Sequence, residues 1–392
     1  MNLNMQERHW LNTGKSAKLS FKFDLQAYVL ILAFLVIILL FGVLTNGEFL
    51  SSRNISNLFT QMSVIALLAI GMTLILIVAH IDLSVGSVVG LTGGIAAILQ
   101  VWYGWSTWAV VLAAILIGAL IGLWQGWWVA YRGVPAFIVT LAGMLIFRGI
   151  LIGLTRGQTI APLENSFKAI GNSYLPYALG YILGLVSIVL WFFFTYRNRK
   201  KRIKLGLMVP SAWSSYGKTA VYAFLILLII YMLNRYFGVP IPILIVVVFG
   251  GIIAFVSHKT SFGRYLYAIG GNAEAAALSG INIRRNTLFV FIIMGVLAAT
   301  AGILLTGRLN AATTSAGTSF EMDAIAACVI GGTSLMGGKG NVIRSILGAL
   351  IMASIDNGMS MMNMEAFWQY IVKGTILLLA VWIDIYSQKR AA

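Results

Sequence analysis

The chain has 392 residues, of which 60% are hydrophobic and only 10% charged, with a mean hydropathy of +0.92. That balance excludes an ordinary soluble domain and fits a protein that crosses a membrane many times. The formal net charge of +16 does not point to nucleic acid, because the basic residues sit in short segments beside apolar runs, where they orient the chain and attract anionic lipid.

Residues 1–24 are predicted to be a polar N-terminal segment without a signal-peptide pattern. A membrane domain follows at 25–385 and a short tail at 386–392. A hydrocarbon core of about 30 Å takes roughly 20 apolar residues per helix. On that scale the first spans fall at 27–44, 57–79 and 83–101. The third begins at a polar turn containing Asp82, Ser84 and Ser87. Asp82 is placed to cap the helix that follows. Gly86, Gly90 and Gly94 form a tandem GxxxG that lets a second helix approach closely.

The fourth span, 107–129, is flanked by Trp102, Tyr103, Trp105 and Trp108 at one end and Trp124, Trp127, Trp128 and Tyr131 at the other, the aromatic marks of two interfaces. The fifth, 136–154, carries Arg148 at its middle. A bare arginine there costs at least about 2.5–3.5 kcal/mol, so it either pairs structurally or faces the translocation path. Spans at 176–195 and 220–237 enclose the strongest basic run of the chain, Arg197 to Lys204. After the span 242–257 comes a long amphiphilic segment, 258–287, in which Asn272–Leu278 favours a short helix ending at Ser279-Gly280.

The last spans are 288–306, 323–336, 343–361 and 366–384. Residues 323–336 are short and rich in small side chains, which suits either a broken helix beside a path or tight packing. Asp356 and Asn357 lie inside an apolar run and need polar partners, from another helix or from a hydrated cavity. Lys373, nearer an end of its span, is the same case as Arg148. Ile81–Gly86 and Thr333–Gly338 make a faint internal repeat, each leading into a helix. All six prolines fall at or beyond span ends, as expected of a residue that lacks the amide hydrogen.

Alternating the spans from an inner N-terminus puts twenty of the 27 Lys and Arg on one side. This is the positive-inside bias, and it makes both termini cytoplasmic. The lone cysteine, Cys328, excludes a disulfide framework within the chain. No phosphate-binding loop is present: Lys339 is followed by Gly340 where a hydroxyl is required. The three histidines are scattered, no metal cluster is visible, and no cofactor or catalytic residue is expected.

Glu274-Ala275-Ala276 with Gly280 and Ile281 resembles the cytoplasmic coupling segment of ABC importer permeases. The runs Gly71–Ser87, Pro135–Gly149 and Ala324–Gly338 resemble the ribose-type sugar permeases. Within that family Gly126–Arg132, Ala353–Met362 and Phe367–Gly374 are most similar to the branch that handles D-xylose. The resemblance runs from about residue 25 to 384.

It implies an all-α, type II importer permease fold of about 10–12 transmembrane helices in the bacterial inner membrane. It also implies a permease homodimer, two copies of a separate ATP-binding subunit below, and a periplasmic sugar-binding protein above. By the same resemblance Arg264, Glu274, Ala275, Ala276, Gly280, Ile281 and Arg284 would couple to the ATPase. Asp82, Ser84, Ser87, Arg148, Asp356 and Asn357 are candidates for the pathway. Two departures stand out: most ribose-type permeases lack the pair 176–195 and 220–237, and His80 occupies a place where a small or acidic residue is expected. The alternative is a proton-coupled secondary transporter, for which only Asp82 and Asp356 would be the titrating carboxylates.

Overall fold

The computed structural model describes residues 25–391 apart from 208 and 210; the N-terminal segment 1–24 lies outside the described residues. The helices are α1 (Leu25–Leu44), α2 (Ser52–Ile77), α3 (Val85–Ala97), α4 (Thr107–Ala130), α5 (Ala136–Thr155), α6 (Asn165–Asn172), α7 (Tyr177–Lys204) and α8 (Ala212–Asn234). They continue as α9 (Ile241–Lys259), α10 (Ser261–Gly271), α11 (Ala273–Leu278), α12 (Ile283–Leu309), α13 (Phe320–Ile330), α14 (Val342–Met361) and α15 (Ala366–Ala391). A π-helical turn, Ile98–Trp102, prolongs α3. Among the described residues ten helices are long and apolar enough to cross a membrane, so the chain is an all-α polytopic membrane protein.

Local chemistry explains the boundaries. Pro135, Pro176 and Pro240 occupy the N-cap positions of α5, α7 and α9, where the missing amide hydrogen costs nothing. Ser51 accepts from the Asn54 amide at the start of α2 and Asn282 from the Arg285 amide at the start of α12, each satisfying an orphan donor.

α2 and α12 form the buried centre, while α7, α8 and α15 lie on the outside with little of their surface covered. Small residues set the closest crossings. Gly118, Gly122 and Gly126 of α4 lie against Gly295, Phe291 and Leu288 of α12, with backbone on backbone at Gly118 and Gly295. Van der Waals packing of this kind is the main force holding helices together where lipid removes the hydrophobic drive.

Loops gather at two ends. At one end the Gly338 amide donates to the Ile77 carbonyl at 2.9 Å and Tyr267 Oη to the Gly340 carbonyl at 2.9 Å. At the other, Ile160 pairs with Ala312 and Tyr174 with Pro240. The two repeat-like turns, Ile81–Gly86 and Thr333–Gly338, follow helices that reach the first end.

Three expectations change. The expected span 323–336 is an 11-residue helix, Phe320–Ile330; at 1.5 Å per residue it reaches about 16 Å and cannot cross alone. The segment 258–287 holds two helices, α10 and α11, where one was expected, because Thr260 caps an additional start by accepting from the Gly263 amide. The expected tail 386–392 has no break at its start, and α15 runs through to Ala391. α6, a short helix packed through Gly171 on the Gly307–Arg308 backbone, had no apolar run to announce it.

Candidate functional site

Two regions concentrate chemistry: a break in the middle of the bundle, and the α10–α11 surface at one end. The break is made by residues 311–319, which are not helical. This stretch enters beside α3, with the Gly317 carbonyl against Gly86 and the Ala316 carbonyl against Gly90. Non-helical backbone at membrane depth must find partners inside the protein. Arg148 supplies them: its Nη1 donates to the Thr314 carbonyl at 2.7 Å and to the Ala316 carbonyl at 2.9 Å. The Glu321 carboxylate, one residue into α13, packs against Gly86 from the same side.

The tandem GxxxG therefore does a different job from the expected one. Gly86 and Gly90 admit an extended segment, and Gly94 admits the Leu151 side chain of α5. The close helix crossing on α3 runs instead through Gly93, which faces the Gly302 carbonyl and Thr306 of α12.

Asp82 is buried at 2% exposure, and its Oδ1 accepts from the Ser84 amide at 2.8 Å and from Ser84 Oγ at 2.7 Å. Ser84, not a residue of the first turn, is the N-cap of α3, so Asp82 fixes the turn just outside the helix. Gln125 Nε2 on α4 donates to Ser84 Oγ at 2.7 Å and ties the turn to a neighbouring helix. Ser87 is buried in the first turn of α3. His80, two residues before Asp82, lies obliquely near Phe291, with ring centroids 6.2 Å apart.

Asp356 and Asn357 part company. Asn357 Oδ1 accepts from Asn54 Nδ2 on α2 at 2.8 Å, a buried bond between helices. Asp356 Oδ2 meets Lys373 Nζ at 2.8 Å, and the same ammonium meets Asp323 Oδ2 at 3.0 Å. One lysine on α15 thus joins α13 and α14. Glu321, Asp323 and Gln125 were not singled out by the sequence. The signal for the first two was two acids at the start of a short apolar run; nothing local marks Gln125.

At the end of the bundle, α11 presents Glu274, Ala275 and Leu278 outward, the last 86% exposed. Ala276 turns inward at 4% exposure. The helix closes in a Schellman motif: Gly280 has φ +79°, its amide donates to Ala277 and the Ile281 amide to Ala276. Arg264 and Arg284 are exposed on the flanking helices. α10 is held tightly, with Gly270 seated on the Ile77 carbonyl and the Gly338 amide. The expected coupling residues therefore share one outward surface, apart from the inward Ala276 and half-buried Ile281.

The model of the branched-chain amino acid transport system / permease component family matches residues 54–381. The xylose transport system permease protein of Escherichia coli (strain K12) is 51% identical over 370 residues, covering 94% of each chain. Its counterpart in Haemophilus influenzae is 51% identical over 367 residues, covering 94% of this chain and 98% of that one. The ribose import permease protein of Haemophilus influenzae is 35% identical over 356 residues, covering 90% and 92%. No solved structure matches.

Proposed function

Because the chain belongs to the branched-chain amino acid transport system permease component family, a group of pathway-forming subunits and not of enzymes, we propose that it is the membrane subunit of an ATP-driven importer for D-xylose. The observation that carries this reading is the 51% identity, along 94% of the chain, to xylose transport system permease proteins. Two copies would form one pathway in the bacterial inner membrane, with both termini in the cytoplasm. A periplasmic sugar-binding protein would deliver the pentose at the end where Tyr174 meets Pro240. Two copies of a separate ATP-binding subunit would dock at α10 and α11 and hydrolyse the nucleotide.

The geometry supports a mechanical link. α10 rests through Gly270 on the end of α2 and on the loop that joins α13 to α14, and Tyr267 bonds the same loop. A push on α10 and α11 therefore reaches the broken helix α13 through backbone contacts, without a soft side chain between. ATP favours one access state only by binding its own subunits unequally in the two closures. The pathway for a neutral sugar calls for hydroxyls, amides and aromatic faces. The charged groups at the break are committed instead: Arg148 to carbonyls, Lys373 to Asp323 and Asp356.

Uptake of radiolabelled D-xylose into liposomes tests the reading, with permease, ATP-binding subunit and binding protein added singly and together. ATP-dependent uptake only with the complete set is expected. Uptake by this chain alone along a proton gradient would overturn it and favour a secondary transporter. A finer test lies on α11. Glu274→Lys reverses the one charge presented by that helix, and Gly280→Trp forces a side chain into a left-handed position at a cost of about 1–2 kcal/mol. Both should abolish ATP-driven uptake while leaving the amount of permease in the membrane unchanged; normal transport by both would remove α11 from the coupling surface.

A further inference from the structure

The helices α7 and α8 form an excursion whose two ends are clamped together. The Leu175 amide donates to the Val239 carbonyl at 2.8 Å and the Ile241 amide to the Ser173 carbonyl at 2.9 Å. That pattern makes Tyr174 and Pro240 a non-hydrogen-bonded antiparallel pair, with Cα atoms about 4.5 Å apart. Between the ends, α7 and α8 pack on each other through Gly184 and Ile230 and leave most of their surface uncovered. Among the described residues the main packing of these helices is with each other and, for α8, with α2.

Its free end is chemically distinct. The apolar stretch 177–196 alone covers about 30 Å, the thickness of the hydrocarbon core. The helix then continues as Arg197, Asn198, Arg199, Lys200, Lys201, Arg202, Ile203 and Lys204. No acidic residue occurs anywhere between Glu164 and Glu274, so this stretch of chain brings no counter-charge of its own. Thr195, Asn198, Arg199, Lys201, Arg202 and, across on α8, Ser215 line a cavity of about 490 Å³.

Arg199 is held there, Nη1 to Ser215 Oγ at 3.3 Å, with its guanidinium 5.9 Å from the Tyr216 ring centroid. On the membrane side the cavity gives way to paired rings, Phe192 with Tyr216 at 5.6 Å and Trp191 with Tyr222 at 5.0 Å. Aromatic pairs of this kind sit at headgroup level. A phosphate bound in the cavity would thus lie at the depth of a lipid headgroup, and a ligand with acyl chains would lay them along the exposed apolar face of α7.

We propose that this cavity is a binding site for the phosphate headgroup of an anionic phospholipid, carried on a hairpin separate from the transport path. Basic pockets between transmembrane helices on the cytoplasmic side are suited to such headgroups. A free phosphate ion would use the basic groups but gain nothing from the aromatic and apolar approach.

Native mass spectrometry of the full chain tests the site, with phosphatidylglycerol, phosphatidylcholine and inorganic phosphate as probes. The protein should retain phosphatidylglycerol in clear preference to phosphatidylcholine, and millimolar inorganic phosphate should not displace it. The combined variant Arg199→Gln, Lys201→Gln, Arg202→Gln should weaken phosphatidylglycerol binding roughly 100-fold, the joint effect of three basic side chains at an anionic surface. Arg197, Lys200, Lys204 and Lys218 remain in the variant, so the hairpin keeps its orientation. Equal retention of the two lipids, displacement by inorganic phosphate, or an unchanged preference in the variant would each overturn the proposal. None of these outcomes depends on the sugar or on ATP.

Discussion

Lys373→Met should lower the stability of the chain by about 3–5 kcal/mol, the usual cost of removing one partner from a buried ion group. The lysine is the only cation that meets Asp323 and Asp356 within ion-pair distance among the described residues. Asp323 is 1% exposed, and one oxygen of each carboxylate already lacks a partner. Without the ammonium, two carboxylates would face each other in an apolar surround, where a lone charge is costly. The loss would free α15 from α13 and α14 together. Thermal unfolding in detergent and the level of protein in the membrane report it. Adding Asp323→Asn and Asp356→Asn to the same variant should restore most of the stability, because the uncompensated charges are then gone. A single variant as stable as the parent would show that the ion group contributes little.

Gly295→Leu should be as damaging by a different route. A Cβ added there would fall on the Gly118 carbonyl and the Gly122 amide of α4, so a side chain meets backbone that cannot rotate away. Overpacking a filled interior costs about 1–3 kcal/mol and more where nothing yields, and α12 is also fixed against α3 by Gly302 on the Val89 carbonyl. We expect the variant not to accumulate as folded protein, read by size-exclusion chromatography of detergent extracts. Gly251→Leu provides the comparison, since a side chain at that position of α9 meets nothing within 4 Å; it should behave as the parent does. If the two variants behave alike, the α4–α12 seam is looser than its geometry implies.

The long helices were legible because lipid demands one thing of each crossing, an apolar run of sufficient length, and the prolines marked where three of them start. The short helix α11 was legible from its cap, since only glycine takes the left-handed position at 280 without strain. The break at 311–319 was not. Its residues read as an outer loop, and what holds them at depth is an arginine bonded to main-chain carbonyls, which have no sequence signature. Lys373 raised the right question, but its partners lie 50 and 17 residues away and no periodicity links them. The glycines of α3 misled for a physical reason: GxxxG says that backbone can come close and does not say whether the visitor is a helix. Gly93 and Gly302, each lying outside that pattern, make the helix crossing.

The clamp between Tyr174 and Pro240 bears on how chains of this kind can vary in length. Since both ends of the α7–α8 excursion leave from one face of the bundle, the excursion adds crossings in an even number. Every later helix keeps its direction, and α10 and α11 stay on the same side of the membrane. One inserted helix would invert all that follows, the α10–α11 surface included. With chain ends about 4.5 Å apart, against 3.8 Å across a peptide bond, the whole stretch can be gained or lost with almost no shift of its neighbours. At this joint a hairpin fits where a single helix does not.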